Sequence, residues 1–406
     1  MRKKYILPIL FVTLLLDTIG IGMLIPIIPT LFTDPTSSSF LLAGYSVSSQ
    51  YMIAGLLTAL FGLMQFIASP ILGELSDMYG RKKLLTLGVG VLAVSQLLFA
   101  TGIAFHSLIL LFVSRAIAGV AGGNFSIAQA TIADVTQPEN RARNFGLIGA
   151  AFGVGFILGP LLGGTLVGMT GNPAVPFIFA GILGIINVLM VTFFLTETHH
   201  VRKEKARITP LRAIHNIQTA FRSHDIKSFY FAGFFATLGF AFYTSFIAIF
   251  LVSRFAFTEA KTGTYFAIVG LWMIFAQLVV VRTLSKHFSD RTRLLFALPV
   301  LATAIAVLPL ISQEFWLYIM MPFFASSFAL VSTGIPALVS KGAGPERQGA
   351  ALGINSSLQA LAQATAPLMA GFASGLLGFK TSFIIGSLCV VVSLLIVLKQ
   401  RSQIKF

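Results

Sequence analysis

Runs of about 20 or more apolar residues recur through the chain, each long enough as a helix to cross roughly 30 Å of hydrocarbon. They fall at about 6–32, 45–70, 82–104, 107–134, 142–169, 174–196, 227–253, 261–284, 293–311, 315–340, 347–377 and 380–399. With 56% of 406 residues hydrophobic and only 10% charged, a water-soluble fold cannot hide so much apolar surface. The predicted class is an all-α membrane protein with twelve transmembrane helices.

The net charge of +15 does not form a nucleic-acid-binding patch, because the basic residues sit between the apolar runs and alternate by side. With the N-terminus placed in the cytoplasm, one set of loops collects 24 Lys and Arg residues, from Arg2 to Lys405. The opposite set holds only Arg254, Lys261 and Lys380, and Arg115 lies inside a run. The positive-inside rule then puts both termini in the cytoplasm. The first run is long, contains Asp17 and has no small-x-small cleavage signal, so it reads as a retained span. A single cysteine, Cys389, allows no intrachain disulfide, and the six histidines lack ligand spacing. No metal, cofactor or enzymatic chemistry is expected.

The apolar pattern stops once at length, in the basic, polar segment 197–226. The chain therefore divides into 1–196, a cytoplasmic linker 197–226, and 227–406. Each half carries six spans, and the halves repeat. Pro138, Glu139, Gly146, Pro160 and Gly164 match Pro345, Glu346, Gly353, Pro367 and Gly371 at an offset of 207. A weaker echo sets Leu75 to Tyr79 against Leu284 to Phe288 at an offset of 209. The expected architecture is two pseudo-repeated six-helix bundles.

Where the repeat fails, the unusual residues stand. Asp17 falls opposite Ala236 and Arg115 opposite Pro322, so the first half alone carries intramembrane charge. An aspartate in mid-span costs roughly 2.5–3.5 kcal/mol on insertion scales. Asp17 either satisfies a neighbouring polar group or loads and releases a proton as its surroundings change. Gly20, Gly22, Pro26 and Pro29 follow it, which predicts a bent or loosened helix. Arg115 must meet an acid, carbonyls or water, unless it snorkels to an interface. Gly119, Gly122 and Gly123 after it permit another backbone to come close. Gly155, Gly159, Pro160 and Gly163 form a close-packing, bendable stretch that suits a hinge or seal. Gly73, Asp77, Gly80 and Arg81 lie in a short loop that is either a topology signal or a charge latch against a neighbouring helix end.

That loop resembles the signature of the major facilitator superfamily, Gly-x-Leu-x-Asp-x-x-Gly-Arg-Lys, at Gly73, Leu75, Asp77, Gly80, Arg81 and Lys82. Arg115 with Gly119 resembles the family's fourth-helix motif. Gly155 to Gly164 resembles the fifth-helix motif of its proton antiporters. The stretch Leu16 to Gly22, through Pro26 and Pro29, is similar to the first helix of the twelve-span tetracycline exporters, as are Ile132 to Asp134 and Arg141 to Gly146. Where those exporters carry a third-helix aspartate, this chain has Ser95.

The resemblance implies a proton-coupled antiporter of the bacterial inner membrane that exports small, largely apolar compounds, antibiotics among them, by alternating access. Asp17 and Arg115 would serve in coupling, and the fifth helix would favour export. The implied partners are protons, a small-molecule substrate and the bilayer, with the chain acting as a monomer. Candidate substrate contacts are Asn124, Gln129, Tyr243, Gln277, Asn355, Gln359 and Gln363, each of which has packing or interhelical hydrogen bonding as its alternative role. Rival readings are a dedicated metabolite or siderophore exporter and a proton-independent lipid flippase or facilitator.

Overall fold

The computed structural model describes residues 5–136, 141–198, 226–343 and 348–400. Among the described residues every regular element is helical. In chain order these are α1 (Ile6–Gly22), α2 (Ile28–Phe32), α3 (Val47–Tyr79), α4 (Arg81–Ala104) and α5 (Leu108–Ala121). There follow α6 (Asn124–Val135), α7 (Arg141–Thr170), α8 (Val175–Phe194), α9 (Lys227–Phe255) and α10 (Glu259–Phe275). The last five are α11 (Arg282–His287), α12 (Asp290–Val307), α13 (Glu314–Ala343), α14 (Gln348–Leu377) and α15 (Lys380–Lys399). A π-helical stretch, Ala276–Val281, joins α10 to α11.

Among the described residues, eleven helical stretches are long and apolar enough to cross a bilayer, with α5 and α6 counted as one and α10 to α11 as another. The expected first span, 6–32, is divided. The 17-residue α1 ends at Gly22, a turn follows, and α2 resumes with Pro29 in its first turn. Pro26 and Pro29 lack the N–H that a continuous helix needs, so the chain turns where sequence placed the loosening.

Two compact units result. The first comprises Met1–Gly44, Leu60–Arg212 and Ala256–Ala267, and the second Tyr45–Ala59, Ala213–Phe255 and Ile268–Phe406. The start of α3 thus belongs with the second unit, where Gly55 lies against Gly371 and Gly375 against Ser48. The start of α10 belongs with the first, where Gly263 meets the Pro160 carbonyl and Gly164 the Glu259 backbone. Lipid offers no hydrophobic drive between helices, so missing side chains that let backbones touch supply the packing.

The first unit is centred on Ile6, Leu10 and Leu14 of α1 against Leu85 and Val89 of α4, Ile127 and Ile132 of α6, and Val191 of α8. In the second, Gly239 of α9 packs on Gly386 of α15, and Ser393 and Ser387 donate to the carbonyls of Ala232 and Ala302. Exposure identifies the lipid side. On α8, Ile178, Ile182, Ile185, Ile186, Leu189 and Phe193 form one exposed apolar stripe at helical spacing.

Candidate functional site

Asp17 is buried in α1 and accepts one hydrogen bond among the described residues, from Asn124 Nδ2 at 3.1 Å. A break in the fourth span delivers that donor. Gly122 ends α5 and Gly123 precedes α6, so Asn124 opens a new helix. Gln65 Nε2 donates to the Gly122 carbonyl at 3.1 Å, which also accepts from the Phe125 amide at 3.4 Å, and Ser126 Oγ donates to the Ser69 carbonyl at 2.8 Å. Gly88 of α4 leaves room for the amide, since a Cβ there would collide with Asn124 Oδ1. One turn before Asp17, Thr13 donates to Asn187 Oδ1 at 3.0 Å, a second fully buried polar pair. Ser95 points elsewhere, donating to the Leu92 carbonyl at 2.6 Å, while Gln96 packs against Gly20.

Arg115 and Asp17 are not brought together. The guanidinium is buried, lies 4.7 Å over the Phe61 ring, and has no hydrogen-bond partner at Nε among the described residues. Arg115 precedes Asn124 by nine residues, about 13 Å of helical rise. Gly119, Gly122 and Gly123 all face α3; only Gly119 makes the predicted backbone approach, at the Phe61 carbonyl, while Gly122 and Gly123 meet the side chains of Gln65 and Leu72.

The loop Gly73 to Arg81 builds a second site. Arg81 is 6% exposed and engages Asp77 at 2.5 Å, Ser76 Oγ at 2.5 Å and Asp134, at the end of α6, at 3.0 Å. Helix α4 opens with Arg81, Lys82 and Lys83, three cations where the helix dipole disfavours them. Glu197 corrects this. Its carboxylate accepts from the Arg81 and Lys82 amides at 2.9 and 3.2 Å. Gly80, at φ +99°, carries the chain into α4 with no Cβ to strike that carboxylate.

The other unit holds a related cluster in which the charges of the central pair are exchanged. Asp290 opens α12, is 7% exposed, and accepts from Arg293 and from Lys341 Nζ, the latter at 2.6 Å. Arg81 is thus a cation between two acids, and Asp290 an acid between two cations. The repeat carried this signal: an offset of 209 sets Arg81 on Asp290, and 207 sets Asp134 on Lys341. Sequence reasoning missed it by matching residue types, which hides a pair whose signs are reversed. Glu197 was missed too, as part of the polar linker.

The Major Facilitator Superfamily model matches residues 10–367. The chain belongs to that superfamily. It is therefore a multi-pass membrane transporter and not an enzyme. Its relatives include the class C tetracycline resistance protein of Escherichia coli, 30% identical over 91% of this chain and 89% of that one. The quinolone resistance protein NorA of Staphylococcus aureus is 29% identical over 89% and 88% respectively. Among solved structures, the human organic anion transporter MFSD10 (TETRAN) superposes with a TM-score of 0.73 at 23% identity, covering 98% of this chain and 100% of its own.

In this transporter the fifth-span glycines pack on α1. Gly155 meets Thr18, Gly159 meets Gly22, and Gly163 meets Met23, while Pro160 lies beside Gly22. The candidate substrate contacts separate into two groups. Asn124, Tyr243 and Asn355 are buried, the first on Asp17 and the last with Oδ1 unpartnered among the described residues. Gln129, Gln277 and Gln363 are exposed and Gln359 is half-buried, with Gln277 inside the π-helical stretch. On α14, Ser356, Gln359 and Gln363 fall within about 60° of one another at 3.6 residues per turn. The exposed Phe372 lies on the opposite side of that helix. Polar side chains open to solvent within a span mark a face turned from lipid towards water.

Proposed function

We propose that this transporter exports small, largely apolar compounds across the bacterial inner membrane in exchange for protons, with Asp17 as the site that carries the proton. The observation that carries the reading is the buried carboxyl itself. It lies in a span, and among the described residues it has no ion-pair partner and one neutral amide as its donor. A carboxyl whose hydration changes between conformations takes up a proton in one and gives it up in the other. Each proton moved inward supplies roughly 2.3 kcal/mol per 100 mV to drive export. Relatives named for tetracycline and quinolone resistance, aligned over about nine-tenths of the chain, support drugs as cargo.

In this reading the repeats 1–196 and 227–406 open the cargo site alternately to each side, and the chain works as a monomer with both termini in the cytoplasm. The Arg81 and Asp290 clusters act as latches that hold one conformation and open in the other. Arg115 takes part in coupling through the conformation it stabilises rather than by touching Asp17. The fifth-span glycines, closed on α1, make that helix pair move as one body.

The test is flux in proteoliposomes against a panel containing tetracycline, a quinolone and candidate metabolites. An imposed pH gradient is expected to drive accumulation of apolar drugs, and nigericin to abolish it. Accumulation that survives nigericin supports a proton-independent facilitator, and movement of a single metabolite alone supports a dedicated exporter.

A further inference from the structure

We propose that the ring pair Phe240–Phe328 in the second unit is a stacking platform for the substrate, and that the preferred cargo is therefore planar and aromatic; this rests on the efflux reading above. Phe240 of α9 lies face to face with Phe328 of α13, with centroids 3.7 Å apart and planes 16° apart. Phe240 also stacks on Phe324 at 5.9 Å, so three near-parallel rings form a column that ends at Phe328. Tyr243 is buried behind it, 4.4 Å from Phe324 and tilted against it, and helps hold the column from the rear.

The end of the column faces away from lipid. On α13 the exposed apolar residues are Phe315, Trp316, Ile319 and Phe323, and Phe328 lies about 120–180° round the helix from each of them at 3.6 residues per turn. One turn beyond Phe328, on the same face, is the exposed Ser332. On α9 the half-buried residues Phe234, Thr237, Phe240 and Thr244 recur at three- and four-residue spacing, and two of them are hydroxyl residues. Phenylalanines flanked by Thr237, Thr244 and Ser332 are not placed as a lipid face would be. Phe328 is half-buried, and a planar ring laid on it would extend the column by one member.

The experiment is isothermal titration calorimetry on the purified full-length protein with two monocations, ethidium, which is planar and aromatic, and tetrabutylammonium, which is neither. Because their charge is equal, the ratio of their affinities reads the ring. Phe328→Leu keeps an apolar side chain without the ring and is expected to lower the ethidium-to-tetrabutylammonium ratio by about three- to tenfold. Phe328→Trp restores a flat face and is expected to keep the wild-type ratio, which separates loss of the ring from loss of fold. The proposal is overturned if Phe328→Leu leaves the ratio unchanged, or if the wild type binds tetrabutylammonium but not ethidium. Should the wild type bind neither these nor any drug of the flux panel, the efflux reading itself fails and the platform with it.

Discussion

Gly88 sets the space around Asp17. Its missing side chain is the volume occupied by Asn124 Oδ1, so Gly88→Ala forces the amide to turn and lose the carboxyl. A hydrogen bond to a group that is charged in part of the cycle contributes about 1.5–3 kcal/mol. The expected outcome is a fall of about tenfold or more in proton-driven uptake, with the melting temperature in detergent lowered by only a few degrees. Normal uptake by this variant would remove Asn124 from the coupling site. Asp17 and Arg115 were legible in the sequence because a charge inside an apolar run is costly wherever it lies. Their partners were not. Asn124 was picked out as a polar residue, either a substrate contact or an interhelical hydrogen-bonding residue, and its place beside Asp17 depends on the break at Gly122 and Gly123. Phe240 and Phe328 were lost among 39 phenylalanines, because only the helix faces distinguish a wall of the site from a lipid contact.

At the scale of the element, the two ion clusters make unequal demands on their members. Asp290 and Arg293 are 7% and 8% exposed, whereas the Lys341 side chain is 56% exposed. Removing the acid leaves a buried guanidinium without its carboxylate, and removing the lysine deletes a partly solvated cation. Asp290→Ala is therefore expected to lower the melting temperature more than Lys341→Ala does. The reverse order in a thermal-shift assay would show that Lys341 carries the cluster. Glu197→Ala removes the carboxylate from the start of α4 and is expected to cost about 0.5–2 kcal/mol of stability, with Glu197→Gln intermediate because its amide oxygen still accepts. Equal stability of both variants would deny the cap. Sequence showed the helices through their apolar runs, and showed the loosening of the first one through Pro26 and Pro29. It did not show the π-helical stretch at Gln277, because that stretch, Ala276 to Val281, is as apolar as the helix around it.

For the whole molecule, the basic residues predict a topology that the helices alone do not determine. Ser38 lies between the first two spans and Ser285 in the loop side of α11, and both are exposed. With Cys389→Ser as background, Ser38→Cys is expected to react with an impermeant maleimide on intact cells, and Ser285→Cys only after permeabilisation. Reaction of both from outside would invert the orientation. The pairing of Pro160 with Pro367 and Gly164 with Gly371 predicts the division into repeats. The exchange of the first turns of α3 and α10 between compact units was not legible there, since it rests on backbone approach at Gly55, Gly164 and Gly371 and leaves no periodic trace. The central claim is that one buried carboxyl couples proton entry to export, and Asp17→Asn tests it with almost no change of shape. In proteoliposomes carrying a pH gradient, this variant is expected to lose uphill drug accumulation while retaining downhill exchange of the same drug; uphill accumulation with wild-type pH dependence would contradict the account.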